Sequence, residues 1–243
     1  MQIITIIQAR MGSTRLPGKV MLDLCGQTVL ARVVQRVRRS RLAGDVVIAT
    51  TTKSSDDVLV EECGRLAVKV FRGSESDVLD RYYNAANHFH ADVIVRICSD
   101  CPLIDPEIVD QTIRSFLEAQ ADYASNALDR TYPRGLDAEI VSWQALACCW
   151  RDARASYQRS HVTPYIYENP DQFRIVRARG CEDYSDCRWT LDTTEDLAFI
   201  RAVYGRMEDK DGFSWRDVLS VLDEEPELKE LNQHIVQKAL QEG

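Results

Sequence analysis

The chain has 243 residues, 45% hydrophobic and 28% charged, and its 30 Lys and Arg against 38 Asp and Glu leave a net charge of −8. That length buries one substantial core, while the overall negative field argues against nucleic-acid binding and requires any phosphate ligand to be gripped by local cations. No run of about 18 apolar residues occurs and the N-terminus opens as a strand instead of a charged-then-apolar leader, so the expectation is a cytoplasmic protein that does not enter a membrane.

The first predicted element is the most informative. Ile3 to Ile7 are apolar or β-branched, as in a strand buried on both faces, and they run directly into Gln8-Ala9-Arg10-Met11-Gly12-Ser13-Thr14-Arg15-Leu16-Pro17-Gly18-Lys19. Gly12, Ser13 and Gly18 let backbone N–H groups approach phosphate oxygens, and Arg10, Arg15 and Lys19 supply positive charge. The segment is not a P-loop: five residues separate Gly12 from Gly18 where that motif has four, and Val20 stands where Ser or Thr must hold magnesium.

Leu30, Val33, Val34 and Val37 then fall at helical spacing, with Gly44 closing the helix, and Val46 to Thr50 reads as a second strand. A helix over 55–66, a strand from Val68 to Phe71, a helix over 76–90, a strand from Val93 to Ile97 and a helix starting at Pro106 follow. This alternation predicts an α/β fold with a doubly wound, mostly parallel sheet whose ligand site lies beyond the carboxyl ends of the strands. Arg10 and Asp100 both sit at such ends, so they can face one site although they lie ninety residues apart. Beyond residue 121 the pattern loosens into short strands near 122–124, 137–141 and 173–176 and helices near 143–152 and 159–168, read as a substrate-side insertion over 121–187 on a 1–120 nucleotide-binding core. Arg188 to Leu191 reads as a returning strand, with helices over 194–207, 214–223 and 226–241 completing a single domain over 1–243.

The eight cysteines include only one Cys-x-x-Cys, Cys98 to Cys101, and Cys181 and Cys187 do not repeat its spacing. A four-cysteine zinc site from these pairs is disfavoured, and reduced, unligated thiols are the expectation.

The loop from Gln8 to Lys19 resembles the signature of the sugar cytidylyltransferases, the group of the CMP-Kdo and CMP-sialic acid synthetases, and in particular their spore-coat polysaccharide SpsF-like branch. Phe71 to Tyr83, Arg96 to Pro106, Pro133 to Asp137, His161 to Tyr165 and Leu191 to Leu197 resemble that branch in the same order and span nearly the whole chain. The resemblance implies a nucleotide-diphospho-sugar transferase fold of GT-A-like type with a small substrate and dimerisation subregion, a homodimer, and Mg²⁺-dependent transfer of CMP from CTP to an acidic sugar for cell-surface or spore-coat polysaccharide. Arg10, Gly12, Ser13, Arg15 and Lys19 then hold the triphosphate, Asp100 and Asp192 hold Mg²⁺, and Arg10, Lys19 and Asp100 serve the chemistry. Asp192 is alternatively the cap of the helix starting near 194. Ser99 departs from the family, which often has a smaller residue there. The cytosine is expected near Thr50, Thr51, Gly73 and Ser74, although the two threonines are also ordinary strand terminators. The sugar is expected among Tyr132, Arg134, Asp137, Glu139 and His161; Arg134 is equally a structural ion pair, and His161 a core or cap residue. Two other readings stand beside this one. A phosphorylated sugar or polyol co-substrate would want further cations, for which Arg72, Arg81 and Arg130 are candidates, and a non-catalytic nucleotide-binding regulator would have lost a metal carboxylate or triphosphate cation.

Overall fold

The computed structural model describes residues 1–237. Four strands, β1 (Ile3–Gln8), β2 (Asp45–Thr51), β3 (Lys69–Gly73) and β4 (Val93–Cys98), alternate with α1 (Val29–Val37), α2 (Asp57–Arg65) and α3 (Val78–His88). β1 pairs in parallel with β2 and β4, and β2 with β3. α4 (Pro106–Glu118) follows, then β5 (Tyr123–Ser125), β6 (Glu139–Ser142), α5 (Trp143–Asp152), α6 (Ser156–His161), α7 (Pro164–Glu168) and β7 (Ile175–Arg177). The seven strands form one sheet in the order β3-β2-β1-β4-β6-β5-β7, with β6 antiparallel to both neighbours. The expectation of a doubly wound, mostly parallel α/β sheet is borne out: β6 alone runs antiparallel to its neighbours and makes the sheet mixed.

Helices cover both faces. The apolar stripes of α1, α2 and α4 bury Val33, Leu59 and Ile113 against one face, and α3, α5 and α7 bury Tyr82, Leu146 and Ile166 against the other. α8 (Thr194–Arg206) and α9 (Trp215–Glu224) build a third cluster around Trp189, Phe199 and Val218. Among the described residues no helix is long and apolar enough to cross a membrane.

Several boundaries differ from the sequence reading. α1 ends at Val37, and Gly44 instead serves the turn before β2, where its φ is +63° and a Cβ would lie 2.0 Å from the Ile3 carbonyl oxygen. The helix expected over 159–168 is two, because Pro164 starts α7 and Val162 between them has φ +75°, forbidden to a continuing helix. The expected strand over Arg188 to Leu191 is reduced to one bridge between Arg188 and Arg134. Its next residues bond elsewhere: the Leu191 N–H donates to the Asp100 carbonyl at 2.8 Å and the Thr190 hydroxyl to the same oxygen at 3.2 Å. The last predicted helix is a 3₁₀ turn over Pro226–Leu231, and residues 238–241 of that expectation lie outside the described residues.

Candidate active site

The loop after β1 is anchored at its root. The Met11 N–H donates to Asp56 Oδ1 at 2.8 Å, and the Gly18 N–H closes back on the Met11 carbonyl at 3.0 Å, with Gly18 at φ +69°. Burial would raise the Asp56 carboxyl, but hydrogen bonds from Thr51, Met11 and Thr50 outweigh it and hold the group below its ordinary value. The loop thus delivers Lys19 onto a short turn whose side chain is buried.

Lys19 Nζ donates to Asp100 Oδ2, Asp192 Oδ1 and the Leu191 carbonyl, each at 2.8 Å. Asp100 lies just past β4, and the backbone bonds from Thr190 and Leu191 to its carbonyl carry Asp192 across to meet it. Asp192 does not cap α8. Thr193 does, its hydroxyl accepting from the Asp196 N–H, while the Asp196 carboxylate accepts from Thr193. Asp192 is left to receive Lys19 on one oxygen and, on the other, Arg15 Nη2 at 2.9 Å and Arg188 Nη2 at 3.2 Å. Burial favours the neutral acid, but these three cations outweigh it and keep Asp192 below the usual carboxylate range; conversely, the two carboxylates raise Lys19 despite its burial.

Two cavities meet here. One, of about 620 Å³, is lined by Arg10, Ser13, Lys19, Glu75, Ser76 and Arg81 among others. The second, of about 670 Å³, is lined by Arg96, Arg130, Arg134, Asp137, Glu139 and Thr163 among others. Gln8, Arg15, Asp100, His161 and Asp192 belong to both. A ligand in each would touch across the Asp100–Asp192 pair.

Of the residues expected to hold a nucleotide, Arg10, Ser13, Arg15 and Lys19 line the first cavity, whereas Gly12, Thr50, Gly73 and Ser74 do not. Thr50 is buried with its hydroxyl on Asp56, and the Ser74 carbonyl accepts from Arg81 Nη1 at 2.7 Å. A Cβ on Gly73 would lie 3.1 Å from Arg81 Cγ, so this glycine makes room for the arginine that does reach the cavity.

Among the expected sugar residues, Arg134, Asp137, Glu139 and His161 line the second cavity and Tyr132 does not. Tyr132 is buried edge-on against Trp215 with its hydroxyl donating to Gln111 Oε1 at 2.8 Å, a packing role. Asp137 is gripped by both terminal nitrogens of Arg130, at 2.5 and 2.9 Å. Glu139 takes Arg96 on one oxygen and the hydroxyls of Tyr123 and Thr163 on the other. Among the described residues Arg134 forms no ion pair, and burial together with neighbouring Arg130 lowers its pKa.

Arg96 and Gln8 were not singled out from sequence. Their signal was present, a lone cation inside the apolar Val93 to Ile97 strand and a polar residue ending β1, with Arg96 Nη2 donating to Gln8 Oε1 at 3.3 Å. Arg72, a candidate for a phosphorylated co-substrate, lies outside both cavities and pairs with Asp57 at 2.7 Å. The cysteines form no disulfide, and among the described residues no group of three His, Cys, Asp or Glu is placed to hold a metal ion.

The sequence matches the cytidylyltransferase family model over residues 4–239. It is 36% identical over 234 residues to the spore coat polysaccharide biosynthesis protein SpsF of Bacillus subtilis, covering 93% of this chain and 95% of that one. The 3-deoxy-manno-octulosonate cytidylyltransferase of Chloroherpeton thalassium is 38% identical over 121 residues, 50% of this chain and 48% of its own. The structure of a cytidylyltransferase from Leptospira borgpetersenii superposes with a TM-score of 0.92 at 36% identity, covering 98% of this chain and 100% of that one. A family match over nearly the whole length, on a sheet that brings a cation-rich loop to a carboxylate pair, shows that the chain belongs to the cytidylyltransferase family, a group of nucleotidyltransferases.

Proposed function

We propose that this protein transfers CMP from CTP to an ulosonic or nonulosonic acid and releases pyrophosphate, in the service of a cell-surface polysaccharide. The observation that carries the reading is the meeting of two cavities at Arg15, Asp100 and Asp192. CTP is assigned to the first, with Arg10, Arg15 and Lys19 on its phosphates, and the acidic sugar to the second. A sugar hydroxyl then attacks the α-phosphorus as the bond to pyrophosphate breaks, and no covalent intermediate is needed, so catalysis is positioning and charge stabilisation.

Asp100 and Asp192 fit Mg²⁺. Their oxygens converge on one point, where the Lys19 ammonium stands in as the cation, and hard carboxylate oxygens completed by phosphate and water are the donors this ion favours. Bound there, Mg²⁺ would neutralise charge growing on the phosphates. Lys19 and Arg15 belong to the loop and exchange carboxylate for phosphate; Asp100 and Asp192 remain to hold the ion.

The charges lining the second cavity support an acidic acceptor. Arg96 and Arg130 are each committed to a carboxylate, and Arg134 is left to pair with one anionic group of a ligand. A single sugar carboxylate satisfies that arrangement. A phosphate, with about −1.5 to −2 charge, calls for a second uncommitted cation. The likeness to SpsF and, over half the chain, to a 3-deoxy-manno-octulosonate cytidylyltransferase supports the same class. Arg134→Ala should raise the KM for the acidic sugar by roughly tenfold to a hundredfold, as for one lost charge-assisted contact, and leave the KM for CTP within about threefold. Steady-state kinetics with each substrate varied in turn test this, and an equal rise for CTP would contradict the placement.

A further inference from the structure

Arg188 lines neither cavity, yet its guanidinium reaches Asp192. We propose that Arg188 is a positioning residue that fixes the Asp192 carboxylate, and that the C-terminal strap over 226–237 holds Arg188 in place. The proposal rests on Asp100 and Asp192 being the cation-holding pair.

A carboxylate rotates about its last torsion with little preference, so presenting one defined oxygen toward Asp100 requires anchors on the other. Asp192 has three cationic partners, but two of them, Lys19 and Arg15, are the loop residues that turn to phosphate when the nucleotide enters. Arg188 is the partner that does not leave. Its own geometry is set by Asp196, which is fully buried and accepts from Arg188 Nε at 2.8 Å and Nη2 at 2.9 Å. The same carboxylate accepts the N–H groups of Asp192 at 2.9 Å and Thr193 at 3.0 Å, so it orients the guanidinium and the backbone that carries Asp192 together.

The strap completes the cage. Asn232, 2% exposed, donates through Nδ2 to the Arg188 carbonyl and to Asp196 Oδ1, both at 2.9 Å. Gln237 Oε1 accepts from Arg188 Nη1 at 2.8 Å. Three of the four hydrogen bonds that the Arg188 guanidinium donates go to Asp196 and Gln237, and its backbone oxygen is held by Asn232, which leaves the guanidinium one orientation and Asp192 one place to meet it.

The test is a Mn²⁺ titration, read by the paramagnetic resonance of the free ion, on the full protein saturated with a non-hydrolysable CTP analogue. Wild type should take up Mn²⁺ only beside the analogue. Arg188→Lys keeps the charge but loses the fork, and should weaken that uptake by about tenfold, the usual cost of removing a group that orients a metal ligand. Analogue binding without metal should stay within about twofold, and kcat should fall in parallel with Mn²⁺ affinity while the KM for CTP holds. Gln237→Ala removes an exposed side chain without touching the core, and should shift uptake in the same direction by about twofold to fivefold; it decides the matter if Arg188→Lys does not fold. Wild-type Mn²⁺ affinity in Arg188→Lys, or in Gln237→Ala where only that variant folds, overturns the positioning role and leaves the proposed reaction intact. A wild-type protein that takes up no Mn²⁺ beside the analogue overturns the assignment of the carboxylate pair itself, and this proposal with it.

Discussion

Lys19 illustrates how one side chain serves two partners. Its ammonium is buried between two carboxylates, so removing it leaves uncompensated negative charge and, under the proposed placement of CTP, one phosphate grip fewer. Lys19→Met should weaken CTP binding by about tenfold or more, by a factor that shrinks as salt rises, since a loop cation is meeting a multivalent anion. Arg38→Ala is the comparison: that guanidinium is spent on the carbonyls of Leu66 and Ala67 and lines neither cavity. Calorimetric titration of CTP at two salt concentrations separates them, and equal losses would contradict the placement of the loop. At this scale the cationic loop was legible because glycines and basic residues at the end of a buried strand have few other uses. Tyr132 was misplaced because an aromatic beside a loop cation looks the same in sequence whether it faces a ligand or Trp215. Arg96 was passed over because its carboxylate partner, Glu139, is distant in sequence.

Among the elements, the segment around Gly135 does most to join the two halves of the site. Across the bridge between Arg134 and Arg188, the Arg134 N–H donates to the Cys187 carbonyl and the Trp189 N–H donates to the Arg134 carbonyl, and Gly135 sits beside it at φ +108° with space for no Cβ: one would lie 2.5 Å from the Trp189 carbonyl oxygen. Gly135→Ala should therefore lower the melting temperature by several degrees, from about 1–3 kcal/mol of backbone strain plus the displaced bridge. It should also raise the KM for the acidic sugar, because Arg134 moves with the bridge. A melting temperature unchanged from wild type would show that the segment relaxes freely. The sequence pattern showed this stretch as a strand because Arg188 to Leu191 has strand-like residues. Its hydrogen bonds go instead to Asp100, a partner some ninety residues away that no local periodicity encodes. The break at Val162 was equally hidden, since a β-branched residue at positive φ is held there by burial of its side chain, not by propensity.

For the molecule as a whole, a net charge of −8 surrounds a site that must attract an anion, and the fold resolves this by concentrating arginines where β1 and β4 end. The carboxylates that hold those cations and the loop also shape acid stability. Asp56 and Asp192 both titrate below their unfolded value of about 3.9, so the stability they supply is complete above that value and is lost as pH falls through their folded pKa values. Melting curves from pH 5 downward should show the loss, with Asp56→Asn removing part of the slope; an unchanged slope would mean that Asp56 contributes nothing to it. The parallel half of the sheet was legible from strict alternation of strands and helices. The antiparallel β6, slotted between β4 and β5, was not, because pairing across an insertion is a tertiary choice. The central claim, that the second cavity takes a sugar with one carboxylate, is tested most directly by measuring pyrophosphate release from CTP and Mg²⁺ with two panels of acceptors. Turnover with 2-keto-3-deoxy sugar acids and none with sugar or polyol phosphates is the predicted result, and turnover confined to the phosphates would contradict it.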